Sequence, residues 1–143
     1  MEYSEQFERE FMRRTLVLVK GYTGPHDATL LLNCLVGLLI VPKEKFLERI
    51  PSDPLQDLER WGISPSSIHA AAAVSKANPQ PATLRGVVHS LRNSVCHSRF
   101  EPVHRNGEVE GFSYSDLSGF RAKVSLGELR LFVERLARHL EQE

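Results

Sequence analysis

The chain is poor in cysteine and has no long apolar run, the features that disulfides, thiolate zinc sites and membrane spans draw on. It has two cysteines, Cys34 and Cys96, far apart in sequence, and no Cys/His pair with the spacing of a zinc site. With no secretory leader in view, those thiols are expected to be reduced and the protein cytoplasmic. Ser94 and His97 could touch, but no nucleophile-elbow sequence surrounds Ser94. The apolar run over residues 28–41 contains Asn33 and Gly37 and falls short of the ~20 residues that span a bilayer. It reads as a core helix, with no membrane partner. Charge of one sign is missing too, since eighteen basic residues balance eighteen acidic ones. A protein coated with nucleic acid over its whole surface is basic. Any contact with a polyanion here must be local.

What is present fits one domain, residues 1–143. Hydrophobic content of 41% and charged content of 25% are those of an ordinary globular protein. A chain of this length buries roughly two-thirds of the surface its unfolded form exposes. The charge tilts locally. Between Arg85 and Arg105 stand four arginines and one acid, Glu101, together with His89, His97 and His104. A solvated helix face explains such a tilt as readily as a binding surface does.

Apolar spacing predicts a first helix over residues 3–22, with Phe7, Phe11, Leu16, Val17 and Leu18 as its stripe. A second helix, apolar nearly all round, starts with Asp27 as N-cap and runs to residue 40. It should be the most buried element, and Asn33 within it is either a hydrogen-bonded core amide, the favoured reading, or a group that reaches the cleft. Residues 43–50 form a short continuation after Pro42. Five prolines between residues 51 and 81 leave room for short helical stretches at 55–61 and 66–76. A third principal helix starts near Pro81, a residue favoured in a first turn, and runs to about His97. Asn106-Gly107 predicts a hairpin over 100–114, followed by a strand at 120–124. Ser125 and Glu128 fit a capping box. It opens a closing helix to about Leu140, with Leu129, Phe132, Val133, Leu136 and Leu140 turned inward. The expected fold class is all-α: an up-and-down helical bundle with a small β-hairpin appendage after the third helix.

The chemistry gathers at Arg92-Asn93-Ser94-Val95-Cys96-His97. An arginine that keeps its charge and a histidine that exchanges protons near neutral pH are the groups that metal-free phosphodiester cleavage requires. On a helical wheel, Leu84, Val87, Val88, Leu91 and Val95 form one face. Arg85, His89, Asn93, Cys96 and His97 fan out on the other, with Arg92 at its border. Asn93 and His97 stack one turn apart. Arg92 and His97 stand roughly 140° apart at 3.6 residues per turn, too far to work on one atom from one straight helix. The same two residue types also have a purely structural use in the last turns of a helix, capping carbonyls and complementing the dipole. Cys96 and His97 are adjacent and do not face each other. His26 with Asp27 reads as a helix start, and His69, His104 and His139 read as surface.

Arg92-Asn93-x3-His97, followed by Ser98-Arg99-Phe100 at the end of an apolar-faced helix, resembles the R-x4–6-H signature of the HEPN domain family. Asn93 matches the polar residue that commonly follows the arginine there. The long first helix and residues 28–45, with Leu30-Leu31-Leu32-Asn33-Cys34-Leu35 and Val41-Pro42-Lys43-Glu44-Lys45, extend the likeness to plasmid- and phage-type HEPN nucleases over most of the chain. The resemblance implies a metal-independent endoribonuclease without cofactor or metal ligand, a homodimer whose motif helices face each other across one cleft. It implies RNA as substrate, a toxin–antitoxin or phage-defence setting, and a cognate antitoxin protein as a partner.

Within that resemblance His97 is general acid or base and Arg92 stabilises charge on the phosphoryl oxygens. Asn93 orients His97 or holds a phosphate oxygen, and Arg85, His89 and Arg99 bind substrate. Attack by the RNA 2′-hydroxyl would leave a 2′,3′-cyclic phosphate. Facing helices would answer the angular mismatch by supplying two copies of each group. Ala82, Gly86 and Ser90, small and on the Asn93–His97 face, are expected to admit the second helix. The alternative keeps the fold without the activity: a HEPN module that binds nucleic acid or a partner protein.

Overall fold

The computed structural model describes residues 5–42, 47–76 and 79–142. Four α-helices are present among them: α1 Glu5–Gly21, α2 Asp27–Ile40, α3 Leu84–Cys96 and α4 Leu126–Glu141. Four strands accompany them: β1 Ile68–Ala70, β2 Phe100–Arg105, β3 Glu108–Ser115 and β4 Arg121–Ser125. Two 3-10 turns, Leu55–Trp61 and Pro65–Ser67, precede β1. The expected start of α1 at residue 3 and most of the expected continuation at 43–50 lie outside the described residues. The described part, 47–50, closes a turn through Ile50 N–H to Leu47 O at 3.1 Å.

The all-α expectation is overturned by the sheet. Its strands run antiparallel in the order β1-β4-β3-β2, so the hairpin is one half of a four-stranded layer rather than an appendage. Phe112, Tyr114, Ala122, Val124 and Ile68 lie on its inner side and join the helical residues in one hydrophobic core. A period-two pattern buries Phe112 and Tyr114 of β3 and Ala122 and Val124 of β4 on one face, and that face needs the helices as cover. The Asn106-Gly107 turn is as expected, both residues holding positive φ (53° and 81°).

β1 also corrects the helix expected at 66–76. Alanines 70–73 favour helix by propensity, but Ile68 pairs with Ala122 on β4, and Ala73 N–H donates to Ser118 O at 3.0 Å. Pairing to a distant strand wins over a local preference.

The helices follow their patterns with local revisions. α1 buries Met12, Leu16 and Val19, spaced as one helical face, and Arg130 of α4 donates to Val19 O at 2.7 Å. Val17 and Leu18, expected in the stripe, are 64% and 57% exposed. α2 buries Leu31, Cys34, Leu35, Leu38 and Leu39, but Asn33 is exposed rather than a core amide. His26 holds the N-cap position of α2. Asp27 follows it in the first turn, paired with Arg130 at 3.6 Å. α4 opens on the expected capping box: Glu128 N–H to Ser125 Oγ, and Ser125 N–H to Glu128 Oε1, both 3.1 Å. His139, read as surface, is half-buried, edge-on to Trp61 and 3.0 Å from Arg49 O.

Candidate active site

α3 begins later than Pro81 suggested. Thr83 is its N-cap, accepting from Gly86 N–H at 3.2 Å while its hydroxyl donates to Gln80 O at 2.7 Å. Residues 80–82 fold back over the first turn. A Cβ on Gly86 would come within 1.9 Å of Gln80 O, so only glycine allows that approach. Ser90 is fully buried as well. Two of the three small residues expected to receive a second helix are therefore covered by the chain itself.

The buried arc of α3 (Leu84, Gly86, Val87, Val88, Ser90, Leu91, Ser94) leaves a narrow polar strip of Arg85, His89, Arg92, Asn93 and Cys96. Arg85, His89 and Arg92 line one concavity of about 110 Å³, with Val88 and the 47–50 turn (Leu47, Glu48, Ile50) as its other wall. Arg85 is also an anchor for that turn. Its Nε and Nη2 donate to Ile50 O at 2.9 and 2.7 Å, and Nη2 to Glu48 O at 2.9 Å. Three of the five N–H groups of a guanidinium are thus engaged, and the Nη1 amino group remains. The 47–50 turn was not among the expected site residues, and only its sequence-distant bonds to Arg85 reveal it.

The histidine end of the motif is built differently. His97 is the C-cap, its N–H donating to Asn93 O at 3.1 Å. Ser98 follows in the left-handed region (φ 54°). Ser98 N–H donates to Val95 O at 3.2 Å and Arg99 N–H to Ser94 O at 2.7 Å, the paired bonds of a Schellman ending. His97 is exposed and lines neither the Arg92 concavity nor the larger one that holds Ser98 and Arg99. Of the six expected site residues, Arg85, His89 and Arg92 are brought together, and Asn93 borders them on the strip. Arg99 turns onto the outer side of the sheet beside Arg121 and Lys123. The bond joining Asn93 to His97 is main-chain.

Among the described residues no cluster of His, Cys, Asp or Glu could hold a metal ion, and no helix is long and apolar enough to cross a membrane.

Fold and site together define a helix-and-sheet domain whose reactive residue types sit at the end of one helix. The chain belongs to the HEPN domain family: the profile of HEPN pEK499 p136 matches residues 1–143. No curated protein and no solved structure matches it.

Proposed function

We propose that the protein is a metal-independent endoribonuclease acting as a homodimer, in a toxin–antitoxin or phage-defence role with a cognate antitoxin protein. The observation that carries this is Arg92, half-buried in a concavity with His89 and Arg85 on the same helix whose C-cap is the exposed His97. Membership of the HEPN family supports it. The concavity suits one phosphate group: the Arg92 guanidinium fork matches phosphate oxygens, and the Nη1 amino group that Arg85 keeps from its carbonyl bonds lies on the same wall.

In the reaction, one His97 takes the proton of the RNA 2′-hydroxyl, whose oxygen attacks the adjacent phosphorus. The P–O5′ bond breaks, and a second imidazolium returns a proton to the leaving oxygen. The products are a 2′,3′-cyclic phosphate and a 5′-hydroxyl. Arg92 neutralises the charge growing on the phosphoryl oxygens. Two chains apposed on the Arg92–Asn93–Cys96 strip would supply the arginine from one protomer and the imidazole from its partner.

The test is purified protein with RNA in EDTA, scored by end chemistry. Arg92→Ala and His97→Ala should each cost about 10²–10⁴-fold in rate with the melting temperature retained. Cys96 is exposed on the same strip, so a thiol cross-linker should trap a Cys96–Cys96 dimer. Intact RNA with wild-type protein rejects the enzyme. A monomer that resists cross-linking rejects the shared site.

One observation favours the binding module instead: Arg92 and His97 do not line a common concavity within one chain. That reading expects RNA or a partner protein bound and RNA left whole.

A further inference from the structure

β4 reads Arg121-Ala122-Lys123-Val124-Ser125, a strict alternation. Ala122 and Val124 are buried, so Arg121 and Lys123 stand on the outer side of the sheet. Opposite them on β3 are Ser115 and Ser113. Beyond β3, Glu101 pairs with Ser113, and Ser115 N–H donates to Arg99 O at 3.0 Å. Short serines therefore floor a trough along β3, and longer side chains wall it on both sides. Its volume is about 540 Å³.

Three of the wall residues carry positive charge, Arg99, Arg121 and Lys123, against one carboxylate, Glu101. Among the described residues none of the three cations has an ion pair or a side-chain hydrogen bond. Such crowding on a chain of zero net charge creates a local positive field that a polyanion would neutralise. Strands lie about 4.8 Å apart, so the walls stand about 10 Å apart across β3 and one extended strand can reach both. Arg99 follows His97 by two residues, about 7 Å of chain at most. The trough thus opens beside the motif.

We propose that this trough carries the sugar–phosphate backbone of a single RNA strand next to the scissile bond, an inference that rests on the nuclease reading but uses other residues. Arg121 and Lys123 hold phosphates from one wall and Arg99 from the other, while the serine hydroxyls donate to backbone oxygens. Tyr114 is buried and Phe100 half-buried, so base stacking on an exposed ring is not offered here. Contacts of this kind fix position without reading sequence.

The test is binding of a 2′-O-methyl RNA of about 12 nucleotides, which cannot be cleaved by its 2′-oxygen, followed by fluorescence anisotropy across salt. Arg121→Gln with Lys123→Gln should weaken binding and flatten the slope of log K against log salt by about 1.4, at about 0.7 per phosphate contact on a single strand. It should raise KM for unmodified RNA and leave kcat alone. The charge-keeping pair Arg121→Lys with Lys123→Arg should retain the slope. An unchanged slope and affinity in a double glutamine variant that melts like wild type overturns the trough, whether or not RNA is cleaved. Wild-type protein that binds with a trough-dependent slope yet leaves RNA whole supports the trough and rejects the ribonuclease.

Discussion

Ser94 and Arg99 bond to each other twice: the Ser94 hydroxyl donates to Arg99 O at 2.7 Å, and Arg99 N–H donates to Ser94 O at 2.7 Å. Ser94 is fully buried. The pair joins the last turn of the motif helix to the first residues before β2 and thereby sets where His97 emerges. Ser94→Ala should lower stability by about 1 kcal/mol, the net value of one hydrogen bond. The larger penalty of an abandoned carbonyl does not apply, because Arg99 O keeps Ser115 N–H at 3.0 Å. Urea unfolding measures this, and an unchanged midpoint would refute it.

Gly86 is held against the backbone of residues 80–81. An alanine there meets main-chain atoms rather than a side chain that can swing away. Gly86→Ala should destabilise by about 1–3 kcal/mol, the range for overpacking, although alanine is the better helix former. A variant more stable than wild type would show that the fold-back over α3 is wrong.

Tyr114 is 2% exposed, and its hydroxyl has no hydrogen-bond partner among the described residues. Burial raises its pKa well above the usual phenol range. Tyr114→Phe keeps the ring contacts with Phe100 and Phe112 and removes an unsatisfied group. The thermal midpoint should rise, by about 1 kcal/mol in stability. A clear fall would mean that the hydroxyl does have a partner.

Burial pushes the Glu128 carboxyl upward, but donors outweigh it: the Ser67 hydroxyl at 2.7 Å, with the Ser125 and Ser64 amides. Its pKa in the folded chain therefore lies below the ordinary 4.5. The stabilisation is present above the unfolded pKa and is lost as pH falls through the folded one. Glu128→Gln should flatten the decline of the urea midpoint below about pH 4.5, near the unperturbed glutamate value. A variant with the same acid profile as wild type would assign that decline to other carboxyls.

How far the fold was legible follows from the range of the interactions that made each element. The capping box of Ser125 and Glu128 and the Asn106-Gly107 turn involve neighbours, and both were readable from neighbours. The apolar part of the inward face of α3 was readable because a helix repeats it every turn, whereas Gly86 and Ser90, expected on the outward face, are buried by the chain that folds over them. The helix expected at 66–76 failed because Ile68 meets Ala122, a partner more than fifty positions away. Asn33 and His139 exchanged their expected settings for the same reason: which side of a helix faces the core depends on what lies across from it. The alternation in 121–125 was visible as a strand. That its outer residues would flank a row of serines was not, because it needs the register of β3.

Residue order alone determined the four helices, the hairpin, the local excess of arginine and the six-residue motif, since these depend on periodicity and on contacts within a turn or two. Tertiary structure decided that the strands form a full layer, that Arg85 grips the 47–50 turn, and that Arg99 lines a different concavity from Arg92. The physical reason is that hydrogen bonds and buried surface between distant segments outweigh the small local preferences a single stretch of sequence expresses.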